Sequence, residues 1–407
     1  MSKMVLEPKK DRTGQYGTAL LLVTWILLIM GSVSIFLLYR SGAEWAVVNS
    51  FSRRLKLQEI ATDRLRQCIT ELNADKTDSD DVSDDWYFGG RIEEELGNEN
   101  EYKLTVIIED EGSKPNINYI YSYKNLEVLV PKEISTAPLQ DWIDRDEEPL
   151  PEGAENSYYL GLNPPYNSRD GFLSTLEELK QIKDGDKLYP ELAPYFTVFG
   201  KANPNIINGN TFSNLLYSHG LNDKTWENVM NDFGNLTRSS RRSHFFLTAD
   251  DFSRISASDI KQDQMSPLFR FNGFCNINFI NLEGLKFIFA EAELNKDSAK
   301  RLIEIRDEQP FKTWEDLNRA LVDQGGAQNK SILVDYFTVV STIVRYKIWV
   351  KYRESVYYLD TVRERFPVTN AKTKWRSHPL SWRVLMNSEA PEIPDKEEKE
   401  EEENQNN

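Results

Sequence analysis

Thr18 to Tyr39, TALLLVTWILLIMGSVSIFLLY, runs for 22 residues without a charged side chain. A helix rises about 1.5 Å per residue, so this run crosses a hydrocarbon core of roughly 30 Å. Inside such a core every backbone N–H and C=O must be satisfied within the segment, which leaves a helix as the conformation of this stretch. Upstream, Lys3, Lys9, Lys10 and Arg12 outnumber Glu7 and Asp11. That basic flank predicts a cytoplasmic N-terminus for a single-pass anchor. A cleaved secretory signal fits less well: the run is longer than the usual apolar core and no small-residue cleavage site follows it.

Helical periodicity continues past Tyr39. Val48, Phe51, Leu55, Ala61, Leu65, Cys68 and Leu72 recur at spacings near three and four or their multiples, an amphipathic stripe. The acidic stretch DKTDSDDVSDD, residues 75–85, ends it. Strands are expected over 86–95 and 102–110, and again over 336–352 and 355–362, with a turn at Arg353 and Glu354. Helical and loop material fills the interval from about 119 to 330. Strands on both sides of a helical insert imply an α+β fold. The tail from Glu389, ending KEEKEEEENQNN, reads as a solvated acidic run without fixed structure.

Within the insert a pattern occurs three times: Asn116-Ile117-Asn118, Asn205-Ile206-Ile207-Asn208 and Asn276-Ile277-Asn278, each followed by two helical segments. Asn suits such a turn because its amide bonds nearby backbone and tolerates a left-handed conformation. Trp142, Trp226 and Trp314 fall in the second helix of each unit and read as core. The third unit, continuing to RDEQPFKTWEDL, resembles a helix-hairpin-helix element. Its hairpin AEAELNKDSA has no Gly and carries acids, so a phosphate would meet side chains and negative charge. The chain as a whole has 49 Lys and Arg against 65 Asp and Glu, a formal charge of −16. Both facts argue against nucleic-acid binding.

No catalytic constellation is visible. His219, His244 and His378 lie far apart, and no GxSxG, P-loop or GxGxxG motif occurs. Ser218 and His219 are neighbours whose side chains point apart on a helix. Cys68 lies on the apolar stripe and reads as a small core residue; nothing in the sequence brings it to Cys275 for a bridge. The densest chemistry is acidic. Asp141, Asp144, Asp146, Glu147, Glu148, Glu152 and Glu155 crowd a stretch containing Pro149, Pro151 and Gly153. Two readings stand: a solvated loop with Asp caps, or oxygen ligands for Ca²⁺, in which case Asp144, Asp146 and Glu155 are the chosen ligands.

A polar leader ending in Gly17, an apolar helix and an amphipathic continuation resemble a type IV pilin-like protein. The run DWIDRDEEPLPEGAENSYYLGLNPPY at 141–166, then LSTLEELK, LAPYFTVFG, CNIN and YFTVVSTIVRYKIWVKYRESVYYL, resembles more narrowly the K-type minor pseudopilins of bacterial type II secretion systems. The likeness covers roughly Gly17 to Asp360; the segment 203–272 is longer and more divergent than the family pattern.

The resemblance implies an α+β chain whose transmembrane helix continues into a pilin-like α/β domain interrupted by a large, mostly helical insertion. On that plan residues 1–17 are a leader and 18–39 the transmembrane helix. The pilin-like domain takes 40–118 and 331–365, the insertion 119–330, and 366–407 form a C-terminal extension. Prepilin peptidase would cut between Gly17 and Thr18 and methylate the new amine, although Thr18 replaces the usual large apolar residue. Leu22 becomes the fifth mature residue, where most pilins carry Glu.

The implied function is structural, with no enzymatic role: capping the pseudopilus tip with I-type and J-type minor pseudopilins and priming the major pseudopilin shaft. The secretin and the exported cargo are further partners on this plan, and the family also suggests Ca²⁺. The alternatives are a minor pilin of a type IV pilus or competence system, and a membrane-anchored periplasmic hydrolase.

Overall fold

The computed structural model describes residues 13–218, 228, 231, 268–271, 273–323, 335–368 and 375–394. The start of the leader, most of 203–272 with His219, Trp226 and His244, and the end of the acidic tail lie outside them. The chain divides into two compact units, 1–62 and 63–407. Helix α1, Thr13–Ala74, contains the apolar run, and among the described residues it is the helix long and apolar enough to cross a membrane. Its side chains from Leu20 to Tyr39 are exposed. The hydroxyls in the run are satisfied locally: Thr24 donates to the Leu21 carbonyl, Ser32 to Ile29 and Ser34 to Met30, each at 2.8 Å. That is how a polar side chain remains within an apolar helix.

The amphipathic stripe has two parts. Val48, Phe51 and Leu55 are exposed, whereas Leu65, Cys68 and Leu72 are buried. In the second unit the end of α1 is tied to the sheet by Arg64, which pairs with Glu94 at 2.9 Å.

The sheet has five antiparallel strands in the order β1-β2-β5-β6-β7: β1 Arg91–Leu96, β2 Tyr102–Asp110, β5 Ile343–Tyr352, β6 Ser355–Pro367 and β7 Trp375–Met386. Leu104, Val106 and Ile108 lie opposite Val350, Ile348 and Tyr346, and all six are buried. The alternate positions carry charge. Lys347 and Lys114 pair with Glu109, while Arg345 pairs with Asp360 at 2.6 Å. Period-two alternation thus gives one apolar and one ionic face.

Four expectations need correction. Residues 85–90 form a 3₁₀ turn with Phe88 and Gly89 in left-handed conformations, so the first strand begins at Arg91. The expected strand 336–352 is two: β4, Phe337–Thr338, runs parallel to β3, Cys275–Asn276, before β5 starts. Within the expected C-terminal extension, β6 runs to Pro367 and β7, Trp375–Met386, forms the edge of the sheet. Pro379 and the charged WRSHPLSWRVLM composition concealed β7; proline is accepted in a sheet at such an edge. The start of the tail crosses the sheet, with the Trp349 indole donating to the Pro391 carbonyl at 2.9 Å and Arg91 to Pro394 at 2.8 Å. The expected turn lies where predicted, with Arg353 at φ 50.

The insert packs around Leu126, Trp142, Tyr159, Leu188, Phe196, Phe287 and Leu317; Trp314 is partly buried against this core. Its repeated motif is a double amide clamp. The first Asn accepts from the N–H two residues on, Asn116 from Asn118 at 2.9 Å and Asn276 from Asn278 at 3.0 Å. The second exchanges both amide bonds with a distant backbone, Asn118 with Leu173 and Asn278 with Phe311. The middle copy is two residues earlier than expected: Asn203 accepts from Asn205 at 3.0 Å. Asn208 instead caps α5, Gly209–Ser218, accepting from Thr211 at 2.9 Å. Asn281 caps α6, Leu282–Glu291, in the same way through Gly284 at 2.7 Å.

Insert and sheet meet at a buried polar hub. Asp80 accepts the Trp86 indole at 3.0 Å, the Ser341 N–H at 2.8 Å and the Arg365 guanidinium. Its carbonyl accepts both Asn276 and Asn278 at 3.0 Å. Asp110 joins through the Ser341 hydroxyl. Burial pushes Asp110 up to about 7 and Asp80 up to about 6, with Arg365 opposing the rise. Carboxyls raised in this way bind more protons folded than unfolded, so their contribution is lost as pH rises through 6 to 7. Denaturant unfolding should therefore show greater stability at pH 5 than at pH 8. Asp110→Asn should flatten that difference by on the order of 2 kcal/mol.

Candidate metal centre

The acidic loop is built from its flanking helices inward. Helix α2, Ala137–Ile143, begins with Pro138 in its first turn and ends where the Asp144 N–H bonds the Gln140 carbonyl at 2.9 Å. Helix α3, Asn156–Leu160, starts just after Glu155. Trp142 and Tyr159 hold the two together edge to face, ring centroids 4.9 Å apart. Fully buried Asp141 then closes the loop, accepting the Ala154 N–H at 2.7 Å and the Leu150 N–H at 3.2 Å. Lys183, beyond the 3₁₀ turn Leu176–Gln181, donates to the Glu152 and Gly153 carbonyls at 2.9 and 3.2 Å.

These bonds bring the three chosen ligands together. Asp144, Asp146 and Glu155 each present a carboxylate oxygen within 4.8 Å of the others. Glu155 is 2% exposed, and both its oxygens, with Oδ1 of Asp144, have no hydrogen-bond partner among the described residues. Burial, then the surrounding carboxylates, raises both Asp144 and Glu155 to about 7. A buried acid without donors costs free energy, and clustered carboxylates repel. The donor set is all hard oxygen, which fits Ca²⁺.

Glu147, Glu148 and Glu152 are exposed and outside this group. Sequence reasoning missed Asp141 and Lys183 as the residues that shape the loop; the visible signal was Gly153, where an added Cβ would lie 1.9 Å from the Asp141 carboxylate. Of the other singled-out residues, Gly17 and Thr18 lie in α1 and Leu22 is exposed on it. Cys68 and Cys275 are free, buried thiols whose pKa burial raises, Cys68 to about 11.

Residues 124–201, the stretch that holds this loop, match the family described as type II secretion system (T2SS), protein K, in its first domain. Over 62 residues the chain is 37% identical to type II secretion system protein K of Aeromonas hydrophila, covering 15% of this chain and 19% of that protein. Over 61 residues it is 39% identical to the protein K of Klebsiella pneumoniae, with the same coverage. The chain thus spans about a fifth of the length of the curated relatives it matches. Among solved structures it is similar to the GspK-GspI-GspJ complex of enterotoxigenic Escherichia coli, with 12% identity and a TM-score of 0.49, over 83% of this chain and 99% of that one.

The matched stretch includes α2, α3 and helix α4, Gly185–Leu192. Within it the contact made by Asp141 depends on Gly153 lacking a side chain. Gly153→Ala should displace the carboxylate from the Ala154 N–H and lower stability by about 1–3 kcal/mol. Denaturant unfolding beside Gly171→Ala, whose Cβ would meet no atom nearer than 3.8 Å, checks the effect.

Proposed function

We propose that this chain is the tip-capping minor pseudopilin of a type II secretion pseudopilus. The observation that carries the reading is the protein K match, joined to a membrane-length helix that has Leu22 at the fifth position after Gly17. In a pilin shaft, a Glu at that position offsets the N-terminal ammonium of a neighbour within an apolar bundle, where a lone charge costs several kcal/mol. Leu22 offers the subunit above no such bond, which suits a terminal position. Prepilin peptidase removes the leader after Gly17 and methylates Thr18. The helix holds the chain in the inner membrane, with the sheet and insert in the periplasm.

On this reading the partners are the I-type and J-type minor pseudopilins and, below them, the major pseudopilin. The insert covers the top of the fibre, so growth proceeds only from below and the complex primes assembly. The outward surface meets cargo or the secretin gate. The work is structural, since the fibre moves proteins that are already folded. A divalent cation held by Asp144, Asp146 and Glu155 neutralises the acidic loop and stiffens the domain.

Two experiments test the proposal. The full chain, co-expressed with the I-type and J-type proteins of its own organism and purified in detergent, should yield a stable three-part complex. Purification of the folded chain alone overturns the tip assignment, and partners from a pilus or competence system in place of these two would establish that alternative. Calcium titration should show tighter binding at pH 8 than at pH 6, because the ion displaces protons from carboxyls raised to about 7. Asp144→Asn with Glu155→Gln should remove the binding.

A further inference from the structure

A second cavity, of about 480 Å³, lies away from the carboxylate loop, between the insert and the sheet. Its volume falls in the range of about 300–1,000 Å³ usual for small-ligand sites. Phe269, Phe274, Phe366 and Trp375 give it aromatic walls, and Arg270 is one of its charged lining residues, with Lys201, Glu364 and Arg365. The backbone delivers Arg270 rigidly: the Arg270 N–H donates to the Ala202 carbonyl at 2.9 Å, and the Ala202 N–H to the Leu268 carbonyl at 3.0 Å. Its Nη1 donates to the Thr342 hydroxyl at 3.0 Å, a neutral partner.

Every other charge at the cavity is already engaged or stands apart. Arg365 is committed to Asp75, Asp80 and the Ser341 carbonyl, and its guanidinium stacks on Trp375 at 4.3 Å. Glu364 lies 3.4 Å from the His378 imidazole, a contact that is an ion pair only when that ring is protonated. Lys201 lies at the rim and is exposed. No ion pair to Arg270 forms among the described residues, although burial disfavours its charge and Glu364 only partly restores it. Arg270 is half-buried, and a guanidinium partly withdrawn from water is normally matched by an anion, because its desolvation is otherwise uncompensated.

We propose that this cavity is a receptor for a monocarboxylate carried on a flat apolar body. The planar guanidinium fork matches a carboxylate with two parallel bonds, and the aromatic walls receive the body. A phosphate dianion fits less well, since one unpaired cation faces it and Glu364 opposes a second negative charge. The same chemistry comes from a free aromatic acid or from an acidic side chain beside an aromatic residue in a peptide.

The test is calorimetric titration of the full chain in neutral detergent with benzoate, with the capped peptide acetyl-Phe-Glu-Phe-amide, and with inorganic phosphate. Saturable one-to-one binding of benzoate, without phosphate binding, is expected for a free-acid site; binding of the peptide alone identifies the peptide source. Arg270→Gln should weaken the binding at least roughly tenfold with unchanged circular dichroism, and Arg270→Lys should lose less. Should Arg270→Gln fail to fold, the affinity of the unmutated chain must still fall as chloride is raised. Absence of binding by both carboxylate probes, phosphate binding as tight as theirs, an unchanged affinity in folded Arg270→Gln, or indifference to chloride would each overturn the proposal.

Discussion

The second unit depends on one buried carboxylate and the cation that matches it. Asp80 is 1% exposed, and the side chain of Arg365 is fully buried against it. Around that pair converge the segment after α1, the third Asn turn, the approach to β5 and the strand β6. Removing either partner alone would leave a charge uncompensated in a low-dielectric interior, a cost of several kcal/mol. Asp80 therefore acts less as an isolated salt bridge than as the point at which the long insert between β2 and β5 is referenced to a sheet formed from both its ends.

The Asn clamps solve a related problem. An insert of short helices and turns has little ladder in which to satisfy its backbone, and buried N–H and C=O groups cannot be left without partners. A side-chain amide carries the same donor and acceptor as a peptide group, so Asn118 and Asn278 serve as single-residue strands. Each exchanges both bonds with a remote segment, Leu173 or Phe311. In the middle copy, Asn203 and Asn205 reach Asp335 instead. Asp would offer only acceptors when ionised, and Gln would place the amide one carbon further out; the geometry selects Asn.

The sequence made some of this legible and hid the rest for identifiable reasons. The membrane-length helix, strands β2, β5 and β6 and the turn at Arg353 each follow from apolar periodicity, a local signal. Strand β7 lacked that signal, because an edge strand with exposed Arg376, His378 and Arg383 does not alternate. The register of the middle Asn motif was misplaced because Asn203, Asn205 and Asn208 all occur there, and only the distant partner tells clamp from cap. Asp144, Asp146 and Glu155 were visible in the sequence only as members of a crowd of carboxylates around Pro149, Pro151 and Gly153. The organising part of Asp141 was not visible there, since it rests on contacts with the Leu150 and Ala154 N–H groups that loop closure creates.

Burial alone does not distinguish the charges here; the partner set does. Asp80 and Glu155 are almost equally inaccessible, yet Asp80 accepts from a guanidinium, an indole and a backbone N–H, whereas the oxygens of Glu155 receive no donor among the described residues. Among the cations, Arg365 is enclosed by two carboxylates while Arg270 has a single hydroxyl. Folding energy can hold one unmatched charge in place provided the surrounding structure is over-determined, and both unmatched groups sit on such frames. Glu155 adjoins the loop closed by Asp141 and Lys183, and Arg270 follows the bridge to Ala202. A buried charge with a complete set of partners works as a staple. One held rigidly without them is what a binding site requires, because the ligand then supplies the missing partner and gains the full benefit of doing so.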